Sequence, residues 1–138
     1  MNTGNEAKGS CLCGKVTLEA TIPGNAGVCH CSMCRNWNGG PLITLNCEGQ
    51  PRIFGQEHVT TFASSDWAER AFCSICGTHL YYRLKQNDQY ILSAGLFPDA
   101  ELTLDHQIFI DEKPAFYNFA EKTQNLTGAE VFAMFTNG

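Results

Sequence analysis

Seven of the eight cysteines, at positions 11, 13, 29, 31, 34, 47, 73 and 76, fall in three tight clusters. Cys11 and Cys13 are one residue apart, Cys73 and Cys76 are two apart, and Cys29, Cys31 and Cys34 share a stretch of six residues. Thiols this close along a chain rarely bridge each other in relaxed disulfide geometry. A chain of 138 residues also buries about two-thirds of its unfolded surface, so it does not need disulfides merely to fold. In a reducing compartment clustered thiols hold metal or carry chemistry. The clusters therefore read as metal ligands, and any fold for this chain must bring them together.

The rest of the composition narrows the class. The apolar fraction of 43% excludes intrinsic disorder. No window approaches the roughly 18 unbroken apolar residues of a membrane helix, so no membrane is expected as a partner. Net charge is -5, and the nine Lys and Arg are scattered singly from Lys8 to Lys122. Without a basic stripe for a phosphate backbone, nucleic acid is not expected as a partner either. Residues 1–8 read as a polar leader without the basic and apolar regions of a signal peptide. The expected location is cytoplasmic.

There are no repeats, charge runs or linkers, so residues 9–138 read as a single domain. Val16 to Ala20 alternates apolar and polar residues as a half-buried strand does, and Leu42–Cys47, Val59–Phe62 and His79–Leu84 do so less regularly. Gln89–Ala94 and Gln107–Ile110 are rich in β-branched and aromatic residues. Turn signals lie between these runs at Pro23–Asn25, Asn38–Pro41, Gly49–Pro51, Gln86–Asp88 and Asp111–Pro114. Two brief helices are expected, one from Ser32 towards Trp37 ending at Gly39, the other over Ala129–Phe135. The predicted class is mainly β: a zinc-containing sandwich or partly open barrel of short strands.

Gly9 to Lys15 matches a phosphate-binding loop for seven positions, but Val16 stands where Ser or Thr would hold magnesium, and a strand-like run follows instead of a helix. Cys11 and Cys13 explain the segment better, because residues i and i+2 of an extended chain point to one side and can hold one ion. Cys73-Ser74-Ile75-Cys76-Gly77 reads as a metal knuckle, with Gly77 supplying the backbone freedom of a tight turn. Cys29, Cys31 and Cys34 can converge on one ion from a single loop and the first turn of a helix. Three protein ligands with a vacant fourth position mark a catalytic zinc, whereas four closed thiolates mark a structural one. Seven thiols divide naturally into four plus three. Spacing alone also admits a zinc ribbon of Cys31 and Cys34 with Cys73 and Cys76, or a four-plus-four division using Cys47. A lone Cys in an apolar run such as Cys47 is more often a small core residue. His30, between two of the candidate ligands, faces away from them or replaces one, and it is the nearest proton carrier.

Three motifs together resemble a known family: Gly9-Ser10-Cys11-Leu12-Cys13-Gly14-Lys15-Val16, Cys29-His30-Cys31-Ser32-Met33-Cys34-Arg35 and Arg70-Ala71-Phe72-Cys73-Ser74-Ile75-Cys76-Gly77-Thr78. They resemble the glutathione-dependent formaldehyde-activating enzymes, whose domain is shared with centromere protein V. His106 to Pro114 resembles the family's C-terminal signature, so the likeness runs from about Gly9 to about Phe119. The resemblance implies an all-β fold and two zinc ions per chain. It assigns Cys11, Cys13, Cys73 and Cys76 to a structural site, and Cys29, Cys31 and Cys34 to a catalytic one, whose zinc is expected to leave first because it has one protein ligand fewer. It implies a carbon–sulfur lyase activity joining glutathione and formaldehyde as S-hydroxymethylglutathione. A thiol of pKa about 8.5 is mostly protonated at neutral pH, and the thiolate is the nucleophile. Three cysteinates and an incoming thiolate would leave a zinc site at net charge -2, for which Arg35 is the first candidate counter-charge and Arg70 the second. His30 or solvent is the expected proton donor. The second reading is a zinc-stabilised binding module in which the central cluster is merely structural. An open metal position favours the enzyme, and a fourth protein ligand favours the module.

Overall fold

The computed structural model describes residues 5–137. In chain order the elements are β1 (Asn5–Ser10), β2 (Thr17–Ile22), β3 (Asn25–Cys29), α1 (Ser32–Asn38), β4 (Leu42–Asn46), β5 (Glu48–Phe54) and β6 (Val59–Phe62). They continue with β7 (Ala68–Cys73), β8 (His79–Leu84), β9 (Gln89–Ser93), β10 (Thr103–Ile108), β11 (Gln124–Leu126) and α2 (Gly128–Asn137). The protein is mainly β, as predicted. Residues 5–8, expected in the leader, form most of β1, while residues 1–4 lie outside the described residues.

The chain forms two compact units, each drawn from separated stretches. The first unit comprises the chain up to Gly24 together with Leu45–Leu102, and the second comprises Asn25–Thr44 with the chain from Thr103 onward. In the first unit β1, β2 and β5 make an antiparallel sheet in that order, and β6 to β9 form an antiparallel meander. Leu18, Ala20 and Ile22 are the buried positions of β2, alternating with half-buried ones. They join Val16, Leu80, Leu92 and Cys73 in the core of this unit.

Gly49-Gln50-Pro51, predicted as a turn, instead lies within β5. The β2–β5 ladder slips between Glu19 and Thr21, and Gly49 takes a φ of 69° beside the slip. β5 is an edge of its three-stranded sheet, where a bulge accommodates a proline that has no N–H to give. β7 also escaped prediction. Ala68-Glu69-Arg70-Ala71-Phe72-Cys73 has no strand composition, but pairing with β6 on one side and β8 on the other makes it one.

In the second unit β3 pairs antiparallel with β4 and parallel with β10, and β10 also pairs parallel with β11. The ladder runs Thr103↔Asn25 to Ile108↔Cys29, and the His30 amide extends it by donating to the Ile108 carbonyl at 3.1 Å. The chain then turns straight into α1. That helix ends where predicted: Gly39 adopts a left-handed φ of 78°, and its amide donates to the Arg35 carbonyl. Strand end, turn and first helical turn thus fall on the six residues that carry three cysteines.

Candidate metal centres

The sulfur atoms gather in two groups. Cys11, Cys13, Cys73 and Cys76 form one, Cys29, Cys31 and Cys34 the other, and within each group the sulfurs lie within 4.8 Å of one another. Neither the ribbon pairing nor the four-plus-four division forms among the described residues. Cys47 packs into the core of the first unit, with its sulfur on the Glu48 carbonyl.

The four-thiol group is built from two facing turns. After β1 the chain reverses through Gly14, which has a φ of 82° and whose amide donates to the Cys11 carbonyl. After β7 it reverses through Gly77, with a φ of 81° and its amide on the Cys73 carbonyl. Any side chain at either position would strain a left-handed backbone. Thr78 ties the turns together: its hydroxyl accepts from the Leu12 amide at 3.1 Å and lies 3.1 Å from Cys76 Sγ. Cys11 Sγ accepts from the Val16 amide at 3.4 Å.

The donor set fits zinc. Four thiolates placed tetrahedrally about 2.3 Å from one ion stand about 3.8 Å apart. The Cys11–Cys13 and Cys13–Cys73 sulfurs are 3.6 and 3.8 Å apart. The thiols also fail to share protons comfortably. The Thr78 hydroxyl and amide pull Cys76 down to about 5. Cys13, despite a Lys15 amide that favours its thiolate, is pushed up to about 12 by desolvation and its three sulfur neighbours. Thiolates this crowded ionise together only when a cation joins them.

The three-thiol group is local. Cys29 ends β3, Cys31 is the N-cap of α1, and Cys34 sits buried in the first turn, with Cys29 and Cys31 half-buried. Cys31 Sγ accepts from the Cys34 amide at 3.3 Å, doing for the helix what a serine cap oxygen does. Hydrogen bonds from Cys29 and Cys34, and then the Cys34 and Met33 amides, pull the Cys31 thiol well below its ordinary value. Cys31 and Cys34 in turn push Cys29 far up, with burial adding to the effect. No fourth Cys, His, Asp or Glu joins this group among the described residues.

His30 lies between two of these cysteines in sequence, but its ring is wholly buried. Nδ1 is 2.8 Å from the Tyr117 hydroxyl and Nε2 is 2.8 Å from Gln107 Oε1. The ring stacks on Tyr117 at 5.5 Å and 25°, and burial lowers its pKa, with Lys113 and Arg35 adding to the effect. Arg35 Nε donates to the His30 carbonyl at 2.9 Å. No carboxylate pairs with Arg35 among the described residues. Arg70 is buried in the first unit, donating to Ser64 Oγ at 3.1 Å and lying 4.9 Å over the Tyr82 ring. Sequence reasoning missed Gln107 and Tyr117. The available signal for Gln107 was an amide inside an otherwise apolar strand run, and Tyr117 gave none.

The sequence profile described as "Glutathione-dependent formaldehyde-activating enzyme" matches residues 6–112. An "uncharacterized lyase" of the fission yeast Schizosaccharomyces pombe is 40% identical over 129 residues, covering 91% of this chain and 94% of that protein. A crystal structure of a Rhodobacter sphaeroides protein superposes with a TM-score of 0.58 at 24% identity, covering 67% of this chain and 88% of the other. That last likeness concerns the fold alone.

Proposed function

The chain belongs to the glutathione-dependent formaldehyde-activating enzyme family, and on that premise we propose that it is a carbon–sulfur lyase acting on a thiol–aldehyde adduct. In the reaction a thiol R–SH adds reversibly to formaldehyde to give R–S–CH2–OH. A C–S bond forms, the carbonyl π pair moves to oxygen, and the thiol proton ends on that oxygen. Glutathione and formaldehyde are the proposed pair.

One observation carries the reading: one thiol group has four members and the other has three. Cys11, Cys13, Cys73 and Cys76 would close the coordination of a structural zinc. Cys29, Cys31 and Cys34 would hold a second zinc with one position left open. A zinc so held supplies Lewis acidity that lets a thiol exist as thiolate at neutral pH. Arg35, anchored by its Nε and without a carboxylate partner among the described residues, places a positive charge beside the cluster and offsets the extra thiolate. His30 has no exposed surface and both ring nitrogens engaged, so its proposed role is to position Tyr117 rather than to meet substrate.

The test combines metal analysis with turnover. Fully loaded protein is expected to carry two zinc ions per chain. Titration with a chelator should remove one first, abolishing turnover while the far-ultraviolet dichroism stays unchanged, because the open site has one ligand fewer. Turnover is read by exchange NMR on glutathione and formaldehyde, which separates catalysed from spontaneous interconversion, with other thiols as controls. Protein carrying two zinc ions that accelerates no thiol adduct would sink the proposal in favour of a binding module.

A further inference from the structure

The stretch that carries the three clustered thiols is fastened from one neighbouring segment, residues 108–112. Cys29 stands opposite Ile108 in the β3–β10 ladder, and the next amide, that of His30, donates to the Ile108 carbonyl. There β10 ends. Phe109 takes a φ of 55° and a ψ of 43°, a left-handed conformation that a bulky residue rarely adopts. The chain then makes a short turn over Ile110–Glu112, closed by the Glu112 and Lys113 amides on the Phe109 and Ile110 carbonyls. Phe132 meets the Phe109 ring edge-on at 5.8 Å, and Gly128 lies against it where a Cβ would come within 2.8 Å.

This turn brings two adjacent carboxylates to two different helix starts. Asp111 Oδ1 accepts from the Gly128 amide at 2.9 Å, at the first residue of α2. Glu112 Oε1 accepts from the Ser32 amide at 2.8 Å, at the first residue of α1, between Cys31 and Cys34. Within α1 the Cys34 amide goes to Cys31 Sγ and the Arg35 amide to the Cys31 carbonyl at 2.9 Å. The Ser32 amide has no acceptor inside its own helix, and Glu112 supplies one. A negative charge near clustered thiols does not help them ionise. What Glu112 contributes is position.

Resting on the reading of Cys29, Cys31 and Cys34 as the holders of a second zinc, we propose that Glu112 is a positioning residue for that centre. Its hydrogen bond to the Ser32 amide holds the entry to α1, and with it Cys31 and Cys34, in the arrangement that receives the ion. The β3–β10 ladder fixes Cys29 on one side of the turn, and Glu112 fixes the other side from the same segment. Thiols gathered in this way need less ordering when the metal binds, which tightens binding without any added ligand. Without the bond Cys31 keeps its cap on Cys34, but the turn from Cys29 into α1 is fastened at the His30 end only.

The test is the rate at which a colorimetric chelator draws zinc from the fully loaded full chain. Wild type is expected to release two ions in two phases, the faster from the three-thiol centre, which has one protein ligand fewer. Glu112→Ala should speed the fast phase about 10-fold, the low end for a partner outside the ligand set, and leave the slow phase and the Tm as in wild type. Glu112→Gln keeps an acceptor oxygen at the same reach and should return the fast phase to within about twofold of wild type. Asp111→Ala removes the matching bond to α2 and should leave the fast phase unchanged. A wild-type fast phase in Glu112→Ala overturns the proposal, as does a Glu112→Gln that restores nothing. Equal acceleration of both phases, or of the fast phase in Asp111→Ala, would mean general loosening and overturn it too. Turnover is not read here, so a chain inactive on every thiol adduct but releasing zinc as described would sink the lyase reading and leave the role of Glu112 standing. Wild type that binds only one zinc overturns the second-centre reading and this proposal together.

Discussion

Cys76→Ser is expected to yield insoluble protein, or soluble protein melting about 15 °C below wild type. The four-thiol group joins turns sixty residues apart, with Cys13 and Cys73 sulfurs 3.8 Å from each other. A cross-link of that span restricts the unfolded chain by about 4 kcal/mol on loop-closure entropy. Each kcal/mol moves the Tm of a domain this size by about 4 °C. That loss is a large part of the stability of a small domain, about 5–15 kcal/mol. Within the four-thiol group Cys76 is also the thiol most drawn to its anion, through the Thr78 hydroxyl and amide, so serine there removes that group's readiest ligand. Thermal melts with parallel zinc analysis check it. A variant with wild-type Tm and one zinc fewer would show that this centre does not hold the fold, and the structural assignment would be withdrawn.

The cysteine arithmetic was legible in the sequence because ligand spacing is a local property. One- and two-residue gaps place thiols on one side of an extended segment or tight turn wherever that segment lies. Which clusters share an ion was not local. The resemblance implied the grouping, and the facing turns at Gly14 and Gly77 realise it. The alternating strands and Gln89–Ser93 were legible too, as were both helices, with Gly39 marking the end of α1. The run Gln107–Ile110, by contrast, overlaps β10 only at Gln107 and Ile108, because Phe109 turns out of the strand at a φ of 55°. β7 was not, since Glu69 and Arg70 look like surface until neighbours on both sides bury Arg70. No linker separates the two units, because each is assembled from two stretches of an interleaved chain. The network behind the second cluster was the least legible. Gln107 and Tyr117 lie 77 and 87 residues beyond His30, and Gln107 reaches it because β3 and β10 pair in parallel. His30 was singled out as the nearest proton carrier. Its sequence neighbours could not reveal that the ring turns into the unit's interior and bonds to the Tyr117 hydroxyl.

Cys31→Ser is expected to leave a folded protein that has lost thiol-adduct turnover by about 100-fold or more. The fold should survive for a specific reason. Cys31 caps α1 with its sulfur 3.3 Å from the Cys34 amide, and serine is among the best residues for that task. The cross-link lost is also short, since the cluster closes only residues 29–34, worth about 2 kcal/mol by the same loop-closure reasoning. Function should suffer far more. Disturbing even the outer partners of a metal ligand costs about 10- to 100-fold, and here a ligand itself becomes a weakly donating hydroxyl. Cys31 is the thiol its neighbours most strongly favour as thiolate, so its loss leaves Cys29, the one least willing to ionise, with only Cys34. Melting temperature, zinc content and adduct turnover are to be measured on one preparation. The Tm should fall by about half the drop in Cys76→Ser, zinc should fall from two ions towards one, and turnover should fall to the spontaneous rate. Wild-type turnover at reduced zinc content would show that the chemistry does not depend on this centre.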